Sequence, residues 1–539
     1  MRDEIGGDAS PIPASGASGD QKDYKKVMDR YKKAKSKWSS WADIWEEIYD
    51  YVLPHRESFH GELAGQRRTE NIYDETAVTG LPRFASRLQL GFFPPNGRAF
   101  KLAPGPEYPK EQISNQLLKE LDDITEVLHE GLRNSNFNSE FHEGLQDLGL
   151  GTMNMLVESG RFVGDLHFTA VPPTNVALLS GAMDMVTHWF RWNDDCDITD
   201  IKLRYPHAEY SQEMTVAQKR DPSRKTKLIE ATMYDSDDQF KDEFTYYLIS
   251  ETDKHILYKR KLVGRGSLPW LTTRWSKSGS EVWGRGPILQ AMPAIKTLNL
   301  TVQLILENAE MAIGGAYVYD DDGVFNPDNI TIQPGTFIPR SPGSTLEALQ
   351  SPARFDVGQL ILEDMRRNVR KALFIDELDS RPNAKTPLSA TEVSERLADV
   401  ARDMGAVAGR MQKEFLHPLV ERVVAIYSEQ GLLDIPKIDG RNIKIVPVSP
   451  LLRAQDQQDV ADFVRFQQTV AGTFGPEITP ALYNQEKVIK YLASKFGVKE
   501  ELLATRQEVK GNIDMAMQMM QQQQQGNKRC KAILIWQCR

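Results

Sequence analysis

The sequence predicts an α+β fold that is predominantly helical, and three observations carry that prediction. Apolar residues recur at three- and four-residue steps through long runs near both ends of the chain. From about Gly160 to Trp275 the texture changes to short β-branched and aromatic segments between turns, such as "DMVTHWFRW", "KLIEATMY", "FTYYLIS" and "HILYKRKLV". Glycine and proline clusters then separate this part from a second helical region, most visibly in "SGSEVWGRGPILQAMPAIKTLN" (278–299).

Each element follows from local pattern. Order is expected to begin near Asp23, after a polar tail at 1–20 without an apolar signal core. Tyr31, Trp38, Trp41, Ile44, Trp45, Ile48 and Val52 then form the stripe of an amphipathic helix that stops at Pro54. A second helix covers "TAVTGLPRFASRLQLGFF" and breaks at Pro94-Pro95-Asn96-Gly97, and a third runs from about Glu111 to Leu132. After the strand-rich part, "PILQAMPAIKTLNLTVQLILENAEMAI" is apolar almost all the way around, so burial between neighbours is expected.

A Gly-, Pro- and Asp-rich stretch of strands and turns follows, and then the two-faced helix 356–375. Ile361, Met365, Val369 and Ala372 form its apolar stripe, opposite Glu363, Arg366, Arg367 and Arg370. Beyond the loop 376–387, Ser389 and Glu392 make a capping box. Val393, Leu397, Val400, Met404, Val407 and Met411 continue a helix predicted from Ala390 to about Glu429, with a kink just before Pro418. The remainder is polar and helical, ending in Met- and Gln-rich sequence.

Composition narrows the chemistry. With 539 residues, 40% apolar and 26% charged, there is ample material for a core. The net charge of −9 argues against coating of nucleic acid by a uniformly basic surface but allows a local basic ring. Cys196, Cys530 and Cys538 are the only cysteines and have no CxxC spacing, which points to a reducing compartment. No apolar run reaches the ~20 residues that span a bilayer, so no membrane partner is expected. GxxxxGK[ST], HExxH and GxSxG are all missing, so no catalytic residue, cofactor or metal site is assigned. His55 and His60 read as a surface turn, and the acidic runs 193–200 and 319–329 read as Asp- and Asn-rich turns. In 278–299 Pro287 would take the first helical position, where its missing N–H costs nothing. That favours a hinge at Gly284, Gly286, Pro287 and Pro293 over a phosphate cradle.

"RWSKSGSEVWGRGPILQAMPAIKTLN" resembles the signature W-x-K-x-x-G-E-x-Y-G-R-x-P-x-x-x-x-L-x-D-I-K-x-L-N of the head-to-tail connector (portal) family of short-tailed, podovirus-type bacteriophages. Trp283 replaces the usual Tyr, Met292 the Leu and Ala294 the Asp. "TGLPRFASRLQLGFFPPNGRAFKL", "DLGLGTMNMLVE" and "KTPLSATEVSER" are similar to further family segments, so the resemblance spans about residues 25–430.

The resemblance implies a portal-type fold assembled as a twelve-subunit ring at one capsid vertex, in a virion built in the bacterial host cytoplasm. Double-stranded DNA would pass through it during packaging and ejection. In family terms, 21–285 with 388–450 would be the wing, 286–312 and 356–375 the stem helices, and 313–355 the clip. Residues 376–387 would be the tunnel loop and 451–539 the crown and C-terminal tail. Implied partners are further copies of the chain, the terminase packaging motor, a tail adaptor protein and the major capsid protein. Arg366, Arg367, Arg370 and Lys371 of the second stem helix would form cationic rings, facing either DNA phosphates or carboxylates of neighbouring subunits. Arg381 and Lys385 in the loop are further DNA candidates. The competing readings are a metal-dependent nucleic-acid enzyme using Asp320–Asp322 or Asp194–Asp197, and an internal virion or scaffold protein without a channel.

Overall fold

A computed structural model describes residues 17–56, 59, 68–94, 97–106, 115–181, 185–235, 243–279, 281–314, 317–320, 337–340, 347–348, 355–375, 404–433, 443–448, 463–470, 472, 488–489 and 492. The first helices are α1 (Ala17–Val52) and α2 (Thr76–Phe92), followed by β1 (Phe100–Pro104), α3 (Asn115–Asn134) and α4 (Phe137–Leu150). Then come β2 (Thr152–Ser159), β3 (Leu166–Ala170), β4 (Val176–Ser180) and β5 (Val186–Asp197). Two short helices, α5 (Ile198–Arg204) and α6 (Gln212–Arg220), precede β6 (Lys225–Tyr234), β7 (Glu243–Ser250), β8 (His255–Val263) and β9 (Trp270–Arg274). The long helix α7 (Pro287–Gly314) leads to β10 (Tyr317–Asp320), β11 (Phe337–Arg340) and β12 (Glu347–Ala348), and α8 (Phe355–Ala372) follows. Helix α9 (Gly405–Met411), a π turn (Gln412–Leu416), α10 (His417–Glu429) and β13 (Ile443–Pro447) follow, and residues 463–470 are again helical.

Two layers build the body. Strands β4-β5-β6-β7-β8 form an antiparallel meander, and α1 crosses one of its faces. There the rings of Tyr31 and Phe190 lie 5.8 Å apart, and those of Trp38 and Trp192 5.3 Å apart at 89°. On the other face, Ile198, Ile201 and Met214 of the two short helices close over Leu228, Leu248 and Leu257. A second antiparallel sheet, β3-β2-β9, packs on α4 and carries the chain toward α7. Strand β13 pairs with β1 across 343 positions of sequence, from Phe100 opposite Pro447 to Pro104 opposite Ile443, so the segment after α10 returns to the body. Strand β10 pairs parallel with β11 and antiparallel with β12.

Several expectations change on contact with the fold. Helix α1 begins inside the segment 1–20 expected as a tail. The acidic run 193–200 is no turn. It is the end of β5, with a bulge between Asn193 and Cys196, followed by α5. The bulge turns Asp194 and Asp195 toward Lys227 (3.4 Å) and Lys225 (2.5 Å), which offset their charge. Helix α4 lies in a stretch not read as helical, although Phe137, Phe141, Leu145 and Leu148 keep helical spacing. Among the described residues no group of three or more His, Cys, Asp or Glu is arranged to hold a metal, and no helix is long and apolar enough to cross a membrane. The loop 376–387, with Arg381 and Lys385, the capping box at Ser389, His60 and Asp321–Asp322 lie outside the described residues.

Candidate functional site

The run 274–287 takes the chain from β9 into α7, and its surroundings define the site. Trp275 N donates to Gly151 O (2.9 Å), Gly284 N to Thr152 Oγ1 (2.8 Å) and Gly286 N to Leu150 O (3.0 Å). The two segments cross with their backbones nearly touching. A Cβ on Gly286 would collide with the Gly149 carbonyl, and one on Gly284 with the Gly151 carbonyl. Gly151 itself sits at φ +147, where side chains are strained. These glycines therefore serve close approach. The expectation of a flexible hinge is corrected on that ground: backbone hydrogen bonds and steric contact hold the segment in place. Pro287 starts α7 as expected, and the helix runs on through Pro293. Trp283 is fully buried, 4.7 Å edge-on from Trp45 of α1.

The same run is clamped from a third side. Glu414 accepts from Arg274 N (3.0 Å) and Arg274 Nη2 (2.7 Å), and Arg410 donates to Trp275 O. Glu414 lies in the π turn that directly precedes Pro418. A proline cannot donate to the residue four back and crowds its carbonyl, and a wider π turn at that place relieves the conflict. The turn also aims Glu414 at the nearly buried Arg274, whose side chain is 6% exposed.

Both long helices grip the body at one further place. Asn299 of α7, 7% exposed, accepts from Tyr73 N (2.7 Å) and Asp74 N (3.2 Å) and donates to Asn71 O (2.8 Å). From α8, Arg366 Nε donates to Asp74 Oδ2 at 2.9 Å, and the Asp74 side chain is 4% exposed. Arg366 is thus engaged within its own chain, whereas DNA, a neighbouring subunit or solvent were the surroundings expected. The end of α8 is fastened as well. Arg87 of α2 donates to the carbonyls of Phe374 (3.0 Å) and Ile375. Phe374 holds φ +56, costly for a bulky residue, with its ring 5.8 Å from that of Trp275.

Below this clamp the character of the helices changes. Ile288, Ala291, Met292, Ile295 and Leu298 of α7 are buried, whereas Leu300, Leu304 and Leu306 are 54%, 49% and 53% exposed. The burial expected of α7 is therefore met only along one side of its first half, where Gln290, Pro293, Lys296 and Thr297 face solvent. On α8 the packed stripe is Leu362, Met365, Val369 and Ala372, continued by Leu373 just beyond its end, with Ile361 exposed instead of packed. Arg367 meets Asp364 and Arg370 meets Glu363, each at a long 3.7 Å, and Lys371 is exposed. The Arg367–Asp364 pair, both about two-thirds exposed, holds weakly, whereas Arg370 is only 37% exposed and has a further interaction.

Sequence reasoning missed Asp74, Asn299, Arg87, Phe374 and the Arg274–Glu414 pair. The one available signal was "GLGT" at 149–152, small residues at the end of a helical run.

A sequence model of the family described as "Bacteriophage head to tail connecting protein" matches residues 24–503. The chain is 22% identical over 526 residues to the "Probable portal protein" of Bordetella phage BPP-1, covering 91% of this chain and 90% of that protein. It is 20% identical over 523 residues to the "Portal protein" of Salmonella phage epsilon15, covering 90% of each. Among solved structures, a chain from the neck of an empty gene transfer agent particle aligns with TM-score 0.35 and 11% identity, covering 82% of this chain and 98% of that one. A chain from the virion of a native gene transfer agent particle aligns with TM-score 0.32 and 13% identity, covering 77% and 94%.

Proposed function

The chain belongs to the bacteriophage head to tail connecting protein family, and from that premise we propose that it is a portal subunit, one of twelve forming a ring at a capsid vertex. Double-stranded DNA enters and leaves the head through the ring. The packaging motor and later the tail adaptor dock on 313–355, and the major capsid protein surrounds the vertex. The role is structural, in a virion assembled in the bacterial cytoplasm.

The observation that carries this reading is the second half of α7. Three large apolar side chains stand in solvent on a helix whose first half is packed and clamped. Apolar surface of this kind is buried when identical subunits close into a heterologous ring. In this arrangement 286–312 and 356–375 are the stem, 21–285 with 388–450 the wing, and 451–539 the crown and tail. The joint at Gly284 and Gly286 is a rigid weld between wing and stem.

Arg366 holds the stem to the wing. Arg367, Arg370 and Lys371 remain the stem's DNA-facing candidates, with Arg381 and Lys385 in the tunnel loop. Their contacts would be to phosphate and independent of sequence, and weak ones suit a channel through which DNA must slide. Electron microscopy of the purified protein tests the proposal. Rings with a central hole are expected from the wild type, and dispersed, folded subunits from Leu300→Ser/Leu304→Ser/Leu306→Ser. Monodisperse wild-type monomers at high concentration, with no rings on capsids, would refute it.

A further inference from the structure

The outward face of α1 carries a feature that neither the fold nor the channel uses. Between residues 21 and 40 its exposed side chains are Gln21, six lysines, Asp29 and serines, with no apolar group among them. Lys26 is paired with Asp235 at 2.9 Å. The other five, Lys22, Lys25, Lys32, Lys33 and Lys37, carry no ion pair among the described residues. At 100° per residue they fall within one sector of the helix, a ridge about 22 Å long at ~1.5 Å per residue.

Helix stability does not account for this ridge. Cations belong at a helix C-terminus and anions at its N-terminus, because of the backbone dipole. In helix α1 the cations outnumber the acids up to Lys37, where Asp20, Asp23 and Asp29 also lie, while Asp43, Glu46, Glu47 and Asp50 occupy its end. The acidic half has work within the chain, since Glu46 and Asp50 meet Arg68 at 2.7 and 3.5 Å and Glu47 meets Lys296. Among the described residues, no such partner exists for the five lysines.

We propose that this ridge binds the phosphate backbone of double-stranded DNA on the outside of the wing, away from the channel. This rests on the portal reading, which puts such DNA beside the protein. Two observations favour a phosphate backbone over an acidic protein. Protein interfaces are depleted in lysine and depend on buried aromatic, aliphatic or arginine anchors, which this face lacks. A phosphate backbone needs only spaced positive charge, and ~22 Å of duplex presents about six phosphates on each strand at ~3.4 Å per phosphate. The contact should be independent of sequence and lost at high salt, because its affinity comes from releasing counterions from the phosphates.

The test uses the full-length protein and closed-circular duplex DNA, which cannot thread a ring and so reports only outer surfaces. Wild type should bind the circle at low salt. The variant Lys22→Gln/Lys25→Gln/Lys32→Gln/Lys33→Gln/Lys37→Gln should bind at least tenfold more weakly. Its slope of log affinity against log salt should be shallower by about 4.5, from ~0.9 for each of five phosphate contacts. Replacing the same five by Arg should restore binding. Equal binding of wild type and the Gln variant, or no binding by wild type, overturns the proposal. So does a Gln variant that no longer forms rings, which would make the ridge a subunit contact, or one that binds the circle normally yet is excluded from heads, which would make it a protein-docking face. Rings are scored by microscopy on the same samples, so failure of the portal reading, no rings from wild type, is seen separately.

Discussion

The two halves of helix α7 have similar apolar composition and opposite surroundings. From Pro287 to Leu298 the helix is packed into its own chain, and Asn299 ties it to 71–74. From Leu300 onward, Val302 and Ile305 still touch the core, while Leu300, Leu304 and Leu306 stand half exposed. Apolar content alone therefore does not say which surface covers a helix. The first half is folded by its own chain, and the second is left for whatever the chain assembles with.

The largest effect should come from the weld above the first half. Gly286→Ala would drive a Cβ into the Gly149 carbonyl, so backbone must move and stability should fall by about 4 kcal/mol or more. Thermal unfolding checks this, and a near-neutral Gly286→Ala would show that the joint yields. Next, Leu298→Ala, in the buried half, should cost about 2–5 kcal/mol. Leu304→Ala, two turns further on, should cost under about 0.5 kcal/mol in dispersed subunits and yet weaken rings. Similar costs at both positions in dispersed subunits would erase the distinction between the halves.

A smaller effect is expected at the boundary. Arg366→Gln leaves the nearly buried Asp74 without its guanidinium and should lower stability by about 1–3 kcal/mol, with DNA retention in filled heads unchanged. Arg367→Gln should do the reverse. Loss of DNA retention with unaltered stability in Arg366→Gln would move that residue into the channel.

The smallest effect concerns pH. Burial holds the His129 imidazole below its usual range. Its Nε2 accepts from Ala99 N and its Nδ1 donates to Thr125 O, which suits the neutral ring. A depressed folded-state value means that the unfolded chain binds the proton more readily, so the histidine's contribution is lost as pH falls below the unfolded value near ~6.5. Denaturant unfolding at pH 7 and pH 5 should show the body weakening, less so in His129→Gln. The exposed half of α7 contains no histidine and should not respond directly.

Much of the fold was legible because helix periodicity is local. Helices α1, α2, α7 and α8 follow from three- and four-residue spacing, and the start at Pro287 follows from proline's fixed φ. The strand-rich middle was legible as a class, but α5 and α6 are too short to display a period. The site was legible as a place and misread as a device. Gly284 and Gly286 show themselves in the run 278–299, but their reason is the carbonyls of Gly149 and Gly151, more than 130 residues upstream. Likewise Arg366 reads as one more cation on a charged face until Asp74, 292 residues away, comes beside it. Spacing reveals what shares an element; it does not reveal what crosses it.

Amide hydrogen exchange along α7, compared in dispersed subunits and in assembled rings, tests the division most directly. The amides of 284–298 should be strongly protected in both states, and those of 300–312 should gain protection only on assembly. Fast exchange at Gly284 and Gly286 in rings, or equal protection of both halves in dispersed subunits, would contradict it.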